Sequence, residues 1–265
     1  MKLLFFDIDG TLITEDKRRL LPESAAEAIK AARAKGHKAF INSGRTRVNI
    51  PKYICDVGFD GMVCGCGLYI SEGDRVLYNH KLDRELCYDI ARRLREWDIH
   101  AMFEHECLTC FDKEMMDDRA AWITDTLKYF ISLGGKVVDD IESADFLFDK
   151  FTAWYYDGNA HIDEFYDYVS KFFNPIRHGT SFAECVPLGH SKATGIDYLI
   201  KHYGVTKDDV YVFGDSNNDM DMMTCVPHSI AMGNSSPEIL EVAMYVTDTV
   251  ENDGIKKALE HFELV

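Results

Sequence analysis

The most constraining feature of this chain is a pair of aspartates that follows a short apolar run near the start. Residues 3–6 read LLFF, a pattern typical of a strand buried on both faces. Asp7 and Asp9 come directly after it, and carboxylates are costly in a dry interior unless they are paired or bind a metal. Gly10 and Thr11 suit a sharp exit from the strand. The pattern predicts two acids at the carboxyl end of a central strand, where open α/β sheets bind ligands; a plain turn or helix cap is the alternative.

The length and composition are typical of a globular protein, and the net charge is strongly negative. The 265 residues are enough for one large domain or two smaller ones, and 46% of them are hydrophobic. The formal net charge of −16 argues against nonspecific nucleic-acid binding and against docking on an anionic membrane. We see no export signal and no apolar stretch near the roughly 20 residues that span a bilayer, so we expect a cytoplasmic protein.

The eight cysteines are most simply interpreted as reduced thiols of a cytoplasmic protein. The short spacings between Cys64 and Cys66 and between Cys107 and Cys110 are compatible with zinc. Neither pair has a second pair nearby at the usual distance, so the sequence does not favour a zinc site.

Hydrophobic patterning predicts an α/β core interrupted by an inserted α+β domain. Strand and helix patterns alternate at the start and return from residue 193 onward, which indicates a parallel sheet. The aromatic and acidic middle region predicts helices over residues 83–97, 115–133 and 162–173. It also predicts strands over residues 100–111, 146–156 and 176–186. We therefore divide the chain into core segments 1–82 and 188–265 and an inserted domain over 83–187.

Further polar residues follow other predicted strands. Ser43 and Gly44 offer a hydroxyl and backbone donors that suit a phosphate oxygen, although a serine that caps a helix is the alternative. Lys192 stands at a predicted helix start, where a cation is unfavourable with respect to the helix dipole. It would serve an anionic ligand there, unless it is a solvated surface lysine.

A second pair of acids, Asp215 and Asp219, follows the predicted strand at residues 211–213. Four acids at strand ends cannot gather without compensating positive charge. A divalent cation and a lysine would supply that charge, and ligands that are all oxygen favour Mg²⁺ over zinc or copper.

Taken together, these motifs resemble those of phosphatases in the haloacid dehalogenase superfamily, in the Cof-like branch known as subfamily IIB. The resemblance covers nearly the whole chain, and the motifs occur in the family's order. It rests on DIDGTL at residues 7–12, SGR at 43–45, Lys192, GDSNNDMDM at 214–222, AMGN at 231–234 and NDGI at 252–255. It implies a Rossmann-like core with a parallel sheet and an inserted α+β cap domain.

The resemblance also implies a mechanism, namely a Mg²⁺-dependent phosphomonoester hydrolase that forms a phosphoaspartate. Asp7 would be the nucleophile, and Asp9 would act as general acid and then as general base. The metal would be held by Asp7, the backbone carbonyl of Asp9 and Asp215, with Asp219 in its outer sphere. The phosphate would be bound by Gly10, Thr11, Ser43, Gly44, Lys192 and Asn218.

The predicted substrate is a small phosphorylated metabolite such as a sugar phosphate. Candidate substrate-binding residues are Arg45, Arg177, His178 and Glu184. Trp154 and Tyr156 would suit a sugar ring, but they can equally pack the sheet of the inserted domain.

Two other functions are compatible with the same residues. A phosphosugar mutase of the superfamily would return the phosphoryl group to its substrate, and a non-catalytic sensor would bind a phosphorylated ligand without turnover. A dehalogenase is disfavoured, because a halide leaving group does not need the proton that Asp9 would supply. We expect no nucleic-acid or membrane partner, and a monomer or small homo-oligomer.

Overall fold

A computed structural model describes residues 1–116, 121–141, 143 and 146–265. The chain divides into two compact units. The first, here called the core unit, consists of Met1–Arg45, Lys52–Asn79 and His190–Val265. The second, here called the inserted unit, consists of Thr46–Pro51 and His80–Gly189.

The described residues form fourteen strands and nine α-helices. The strands are β1 (Leu3–Phe6), β2 (Lys38–Asn42), β3 (Gly61–Cys64), β4 (Tyr69–Glu72), β5 (Arg75–Asn79), β6 (His100–His105), β7 (Leu108–Asp112), β8 (Lys136–Val138), β9 (Lys150–Trp154), β10 (Phe173–His178), β11 (Phe182–Pro187), β12 (Val210–Gly214), β13 (His228–Ala231) and β14 (Tyr245–Val246). The helices are α1 (Glu23–Ala34), α2 (Lys52–Cys55), α3 (Arg84–Glu96), α4 (Ala121–Ser132), α5 (Ile162–Val169), α6 (Lys192–Tyr203), α7 (Met220–Cys225), α8 (Pro237–Val242) and α9 (Gly254–His261).

The core unit is built on an eight-stranded sheet in the order β14-β13-β12-β1-β2-β3-β4-β5. The strands from β14 to β3 are parallel, and β4 and β5 add an antiparallel edge. Strand β1 lies at the centre, and all four of its residues are buried. Leu3 and Phe5 pack with α6 and α7, while Leu4 and Phe6 alternate to the opposite face and are buried there. This confirms the predicted α/β fold with a parallel sheet.

The inserted unit has its own six-stranded sheet in the order β10-β11-β9-β6-β7-β8. Its pairs are antiparallel except for β7 with β8. Apolar residues on one face of the sheet, such as Phe103 and Phe151, pack against α3 and α5 to form a separate hydrophobic core. The mixed sheet confirms the predicted α+β character of the insertion.

Two segments predicted as strands in the insertion are hairpins. The prediction over residues 100–111 is wrong as a strand, and the one over residues 176–186 is divided at Gly179, where a glycine suits a turn. The prediction over residues 100–111 spans β6, a turn at residues 106–107 and β7. No glycine or proline marks that turn, so the pattern of strand residues runs through it. The prediction over residues 176–186 spans β10 and β11, which are joined through Gly179 with a φ of 61°.

Helix boundaries in the insertion also differ from the predictions. The helix predicted over residues 162–173 ends at Val169, because Phe173 already begins β10. Of the helix predicted over residues 115–133, the structure shows Ala121–Ser132, and residues 117–120 lie outside the described residues.

The eight cysteines are free thiols, and five of them are buried. In the part of the chain that the structure describes, no helix is both long and apolar enough to cross a membrane.

Candidate active site

Three carboxylates meet at the carboxyl end of the core sheet. Asp7 follows β1, and Asp215 follows the neighbouring parallel strand β12. Asp219 ends a short 3₁₀ turn after Asp215. One carboxylate oxygen from each of the three lies within 4.8 Å of the others, and all three residues are buried. We call these residues the carboxylate cluster.

Lys192 lies within this cluster. Its Nζ donates to Asp7 Oδ1 at 2.6 Å and to Asp219 Oδ1 at 2.6 Å, and also to Asn218 Oδ1 at 3.2 Å. Burial lowers the pKa of Lys192, but the charges of Asp219 and Asp7 more than offset it and hold the pKa above its ordinary value. The lysine is therefore a buried ammonium group rather than a solvated surface residue.

The local sequence explains how Lys192 enters the cluster. Lys192 is the first residue of α6, and the Ser191 side chain caps this helix by accepting from the Thr194 backbone N–H. Gly67 lies close enough to this turn that a Cβ atom there would collide with Ser191 O. This close packing of α6 on the loop after β3 places the lysine at the strand ends.

One ammonium does not neutralise three buried carboxylates. Burial raises the pKa of Asp7 to about 7, with a further contribution from Asp219, despite the opposing effect of Lys192. Burial likewise raises the pKa of Asp215 to about 8, and the neighbouring Asp7 adds to the shift. A divalent cation would remove this excess of negative charge, and the oxygen-only donors suit a hard cation. The cluster therefore has the chemistry of a divalent-metal site.

The two oxygens of Asp219 already have protein donors. Oδ1 accepts from Lys192, and Oδ2 accepts from the backbone N–H groups of Asp215 at 2.9 Å and Ser216 at 3.1 Å. These bonds fix the loop after β12. Asp7 and Asp215 are thus the carboxylates with more capacity for a metal.

Gly10 and Thr11 shape the loop that faces Asp215. Thr11 Oγ1 donates to Asp215 Oδ1 at 2.6 Å. Gly10 has a φ of 80°, and a Cβ atom at this position would overlap the Asp215 carboxylate. The Gly10 carbonyl oxygen accepts from Asn234 Nδ2 at 2.8 Å, so the AMGN segment supports the same loop.

The Asp9 side chain is bound by two arginines. Arg45 Nε and Nη2 donate to Asp9 Oδ2 and Oδ1, both at 2.7 Å, and Arg19 Nη1 donates to Oδ1 at 2.9 Å. Burial acts to raise the pKa of Asp9, but hydrogen bonds and charge from Arg45, and then from Arg19, outweigh it and lower the pKa. Asp9 is therefore ionised in this arrangement, and Arg45, one of the candidate substrate-binding residues, contacts it directly.

Ser43 and Gly44 lie at the carboxyl end of β2. Ser43 is buried, and its Oγ accepts from the Arg45 backbone N–H at 3.2 Å. Its carbonyl oxygen accepts from Cys66 N at 3.1 Å, which ties the loops after β2 and β3 together. Ser43 does not cap a helix, which was the alternative, because the next helical turn begins at Arg47 and its N-cap is Thr46. The bond from Arg45 N is local and leaves Ser43 at the same edge of the sheet.

In the inserted unit, Glu184 belongs to a buried charge cluster. It forms an ion pair with Lys150, whose Nζ also lies 3.5 Å from Glu104 Oε2. Arg177 lies on β10 with its guanidinium carbon 3.8 Å from the centroid of the Tyr166 ring. The side chain of His178 lies outside the described residues, although its backbone ends β10.

The two aromatic candidates of the insertion differ in exposure. Trp154 is buried and packs with Met102 and Phe111, as expected of a residue that packs the sheet. Tyr156 is 48% exposed, and its hydroxyl donates to Asp98 Oδ2 at 3.2 Å.

Sequence reasoning did not single out Arg19 or Asn42. Arg19 has an unusual φ of 44°, and its carbonyl oxygen accepts from the Tyr53 hydroxyl at 3.1 Å. It stands in the basic run KRR at residues 17–19, where nothing distinguishes it from Arg18. Asn42 had a weak signal, because it is a polar residue at the end of a buried strand.

Comparisons with known proteins agree with this geometry. A family model for haloacid dehalogenase-like hydrolases matches residues 4–259. The Bacillus subtilis protein named "Putative phosphatase YkrA" is 28% identical over 265 residues, which cover 100% of this chain and 98% of that protein. The 5-amino-6-(5-phospho-D-ribitylamino)uracil phosphatase YcsE of the same organism is 25% identical over 271 residues, covering 100% and 96%.

A solved structure, that of the subclass IIB sugar phosphatase BT4131, shares 27% identity and superimposes with a TM-score of 0.83, covering 100% of both chains. The family model spans nearly the whole chain, and the matched residues include the three members of the carboxylate cluster. The chain therefore belongs to the haloacid dehalogenase-like hydrolase family, in which it is a phosphatase of the Cof-like subfamily IIB.

Proposed function

We propose that this phosphatase is a Mg²⁺-dependent enzyme that hydrolyses sugar phosphates or similar small phosphorylated metabolites through a phosphoaspartate on Asp7. The single observation that carries the proposal is the buried cluster of Asp7, Asp215 and Asp219 around Lys192. It combines a nucleophile, an ammonium group and an all-oxygen donor set at one point of the sheet.

In this proposal Asp7 attacks the phosphorus of the bound ester with one carboxylate oxygen. Lys192 lies 2.6 Å from Asp7 Oδ1, so its ammonium group orients the nucleophile and attracts the phosphate oxygens. Asn218 is bonded to the same ammonium and assists in placing it. Ser43, Gly44, Gly10 and Thr11 form the loops around the transferring group.

Asp9 is the acid and base of the proposed reaction. Arg45 and Arg19 keep it ionised in the free protein, which suits the second step, in which Asp9 accepts a proton from the water that attacks the phosphoaspartate. The first step requires a protonated Asp9 to protonate the leaving alcohol. A bound phosphate dianion competes with Asp9 for the two guanidinium groups, and weaker contacts to them raise the pKa of Asp9.

Asp7, Asp215 and the backbone carbonyl of Asp9 would hold Mg²⁺, and Asp219 would orient that set through its bonds to Lys192 and the backbone. When bound, Mg²⁺ reduces the repulsion between the Asp7 carboxylate and the phosphate. The raised pKa values of Asp7 and Asp215 support a cation at this point.

The relatives support a polyhydroxylated substrate. One is described as a sugar phosphatase, and another is named for a substrate with a phosphorylated ribityl chain. In the inserted unit, Glu184 supplies a carboxylate that can accept hydrogen bonds from hydroxyl groups. Arg177 lies on the other face of the sheet, against Tyr166. We therefore propose Glu184, with His178 as a further candidate, as the residue that binds the leaving group.

The experiment that tests the proposal measures phosphate release from sugar phosphates, nucleotides and an aryl phosphate, with Mg²⁺ and with a chelator. Wild type and Asp7→Asn are compared. Release that requires the metal and is lost in the variant supports the proposal, and the order of the substrates defines the preferred class. Transfer of the phosphoryl group back to substrate without net phosphate release would overturn it in favour of a mutase.

A further inference from the structure

Asn42 is a fully buried amide at the carboxyl end of β2. Its exposed fraction is 0%, and it directly follows the buried residues Phe40 and Ile41. A buried amide weakens a fold unless its donors and acceptor are all hydrogen-bonded. The bonds that Asn42 makes therefore indicate what this side chain does.

Asn42 donates without accepting. Its Nδ2 donates to the main-chain carbonyl oxygen of Lys192 at 3.2 Å and to Met222 Sδ at 3.5 Å. Among the described residues, Asn42 Oδ1 has no hydrogen-bond partner. Turning the amide over would place two acceptor oxygens against each other at Lys192, so the orientation is determined by that carbonyl. Stability alone does not account for this amide, since a leucine, which has the same branched shape, would leave no acceptor unpaired.

The two atoms that accept from Asn42 belong to segments of the active site. One segment contains Lys192, and the other directly follows Asp219. Lys192 is the first residue of α6, and Met222 lies on α7, which starts directly after Asp219. Lys192 is thus held at both ends, at Nζ by Asp7 and Asp219 and at its carbonyl by Asn42. A lysine at a helix start is disfavoured by the helix dipole and has four flexible torsions, so an anchor on its main chain limits where Nζ can reach.

We propose that Asn42 is a positioning residue that sets the location of the Lys192 ammonium by anchoring the first turn of α6 to β2 and α7. The inference rests on the proposed function, because it assigns Asn42 to the same phosphoryl-transfer site. Asn42 does not touch the reacting atoms. It affects the rate of reaction by determining where the Lys192 ammonium group lies relative to Asp7.

The test is Asn42→Leu, which keeps the branched shape and the number of heavy atoms and removes both the donor and the unpaired acceptor. We expect kcat for p-nitrophenyl phosphate to fall about 10-fold, because small misplacements of a catalytic group are costly to the rate. KM should change less than about threefold and the melting temperature should stay level or rise. The matched control is Ser229→Ala on β13, because Ser229 is another buried polar residue at 2% exposure and its Oγ accepts from Met244 N. It should keep wild-type kcat.

A double-mutant cycle separates positioning from general damage. If Asn42 acts through Lys192, then Asn42→Leu should lower kcat less than about twofold in a Lys192→Ala background. An equal loss in both backgrounds, or a fall in kcat that follows a fall in melting temperature, would overturn the proposal.

A binding measurement, which does not depend on catalysis, tests the role of Asn42 separately from the proposed phosphatase activity. The Kd of inorganic phosphate in the presence of Mg²⁺ is measured by calorimetry for wild type and Asn42→Leu. Weaker phosphate binding in the variant supports the positioning role even if wild type hydrolyses no ester, whereas equal Kd values would overturn it.

Discussion

Arg45 binds both carboxylate oxygens of Asp9, with Nε on Oδ2 and Nη2 on Oδ1, each at 2.7 Å. The planar guanidinium matches the carboxylate in a fork that lysine cannot reproduce. The Arg45 side chain is 10% exposed and the Asp9 side chain is 37% exposed, so solvent partly screens this pair. Arg45, the last residue of the SGR motif, thus fixes the orientation of Asp9, the second aspartate of the DIDGTL motif.

Arg45→Lys should lower kcat/KM for the best phosphate ester about 10- to 100-fold, because Asp9 loses its two-point contact and with it a fixed orientation. The measurement is steady-state kinetics across pH. Removing the fork also raises the pKa of Asp9, so the acid limb of the pH profile should move to higher pH. Arg18→Lys is the control, since Arg18 is exposed and paired with Asp16 and Glu251. Equal kinetics for both variants would contradict this role for Arg45.

The sequence was sufficient to predict the core sheet because its strands are short apolar runs that end in polar residues. Leu3–Phe6 and Val210–Gly214 are buried throughout, and parallel strands read as unbroken apolar runs. The same reasoning failed for the hairpin of β6 and β7 in the insertion, because the turn at residues 106–107 contains no turn-forming residue.

For the site, the motifs identified the residue types but not their contacts. The sequence predicts that Asp7 and Asp215 each follow a strand of a parallel sheet, and the structure adds that these two strands are neighbours, which brings the two carboxylates together. The bond from Asn42 to the Lys192 carbonyl joins residues 150 positions apart. No periodicity or propensity encodes such a contact, because it depends on how α6 packs against the sheet.

Lys192→Met should destabilise the metal-free protein by about 3–5 kcal/mol, because Asp7 and Asp219 remain buried without their cation. Urea unfolding with and without Mg²⁺ measures this, and added Mg²⁺ should recover part of the loss by supplying positive charge. Lys2→Met serves as the control, since its pair with Asp209 is about one-third exposed and should contribute about 0–1 kcal/mol. A Lys192 variant as stable as the Lys2 variant would contradict this account of the cluster.

Stability of the metal-free protein should fall as pH rises from about 4 to about 8. Asp7 and Asp215 have pKa values raised to about 7 and about 8 in the fold, so in this window the native state binds more protons than the unfolded state. The free energy of unfolding therefore decreases with pH, and below this window both states are protonated and the effect ends. Melting temperatures across the range measure it.

Mg²⁺ should reverse this trend, since it binds the ionised carboxylates and competes with protons. The rise in melting temperature on adding saturating Mg²⁺ should be larger at about pH 8 than at about pH 5, and Asp215→Asn should reduce the difference. A rise of the same size at both pH values would contradict a metal site built from these groups.

Gly10→Ala should abolish most activity and destabilise the protein more than glycine replacement at a similar backbone angle elsewhere. Gly10 has a φ of 80°, and a Cβ atom there would overlap the Asp215 carboxylate, which Thr11 also holds. Gly36→Ala is the matched control, because Gly36 has a φ of 91° and nothing within 4 Å of an added Cβ atom. That control should cost about 1 kcal/mol, from backbone strain alone, and keep full activity. Both variants are measured by urea unfolding and by phosphate release. The difference between Gly10→Ala and Gly36→Ala isolates the contact with Asp215. Similar losses of stability and activity in the two variants would show that the loop tolerates a side chain beside the cluster.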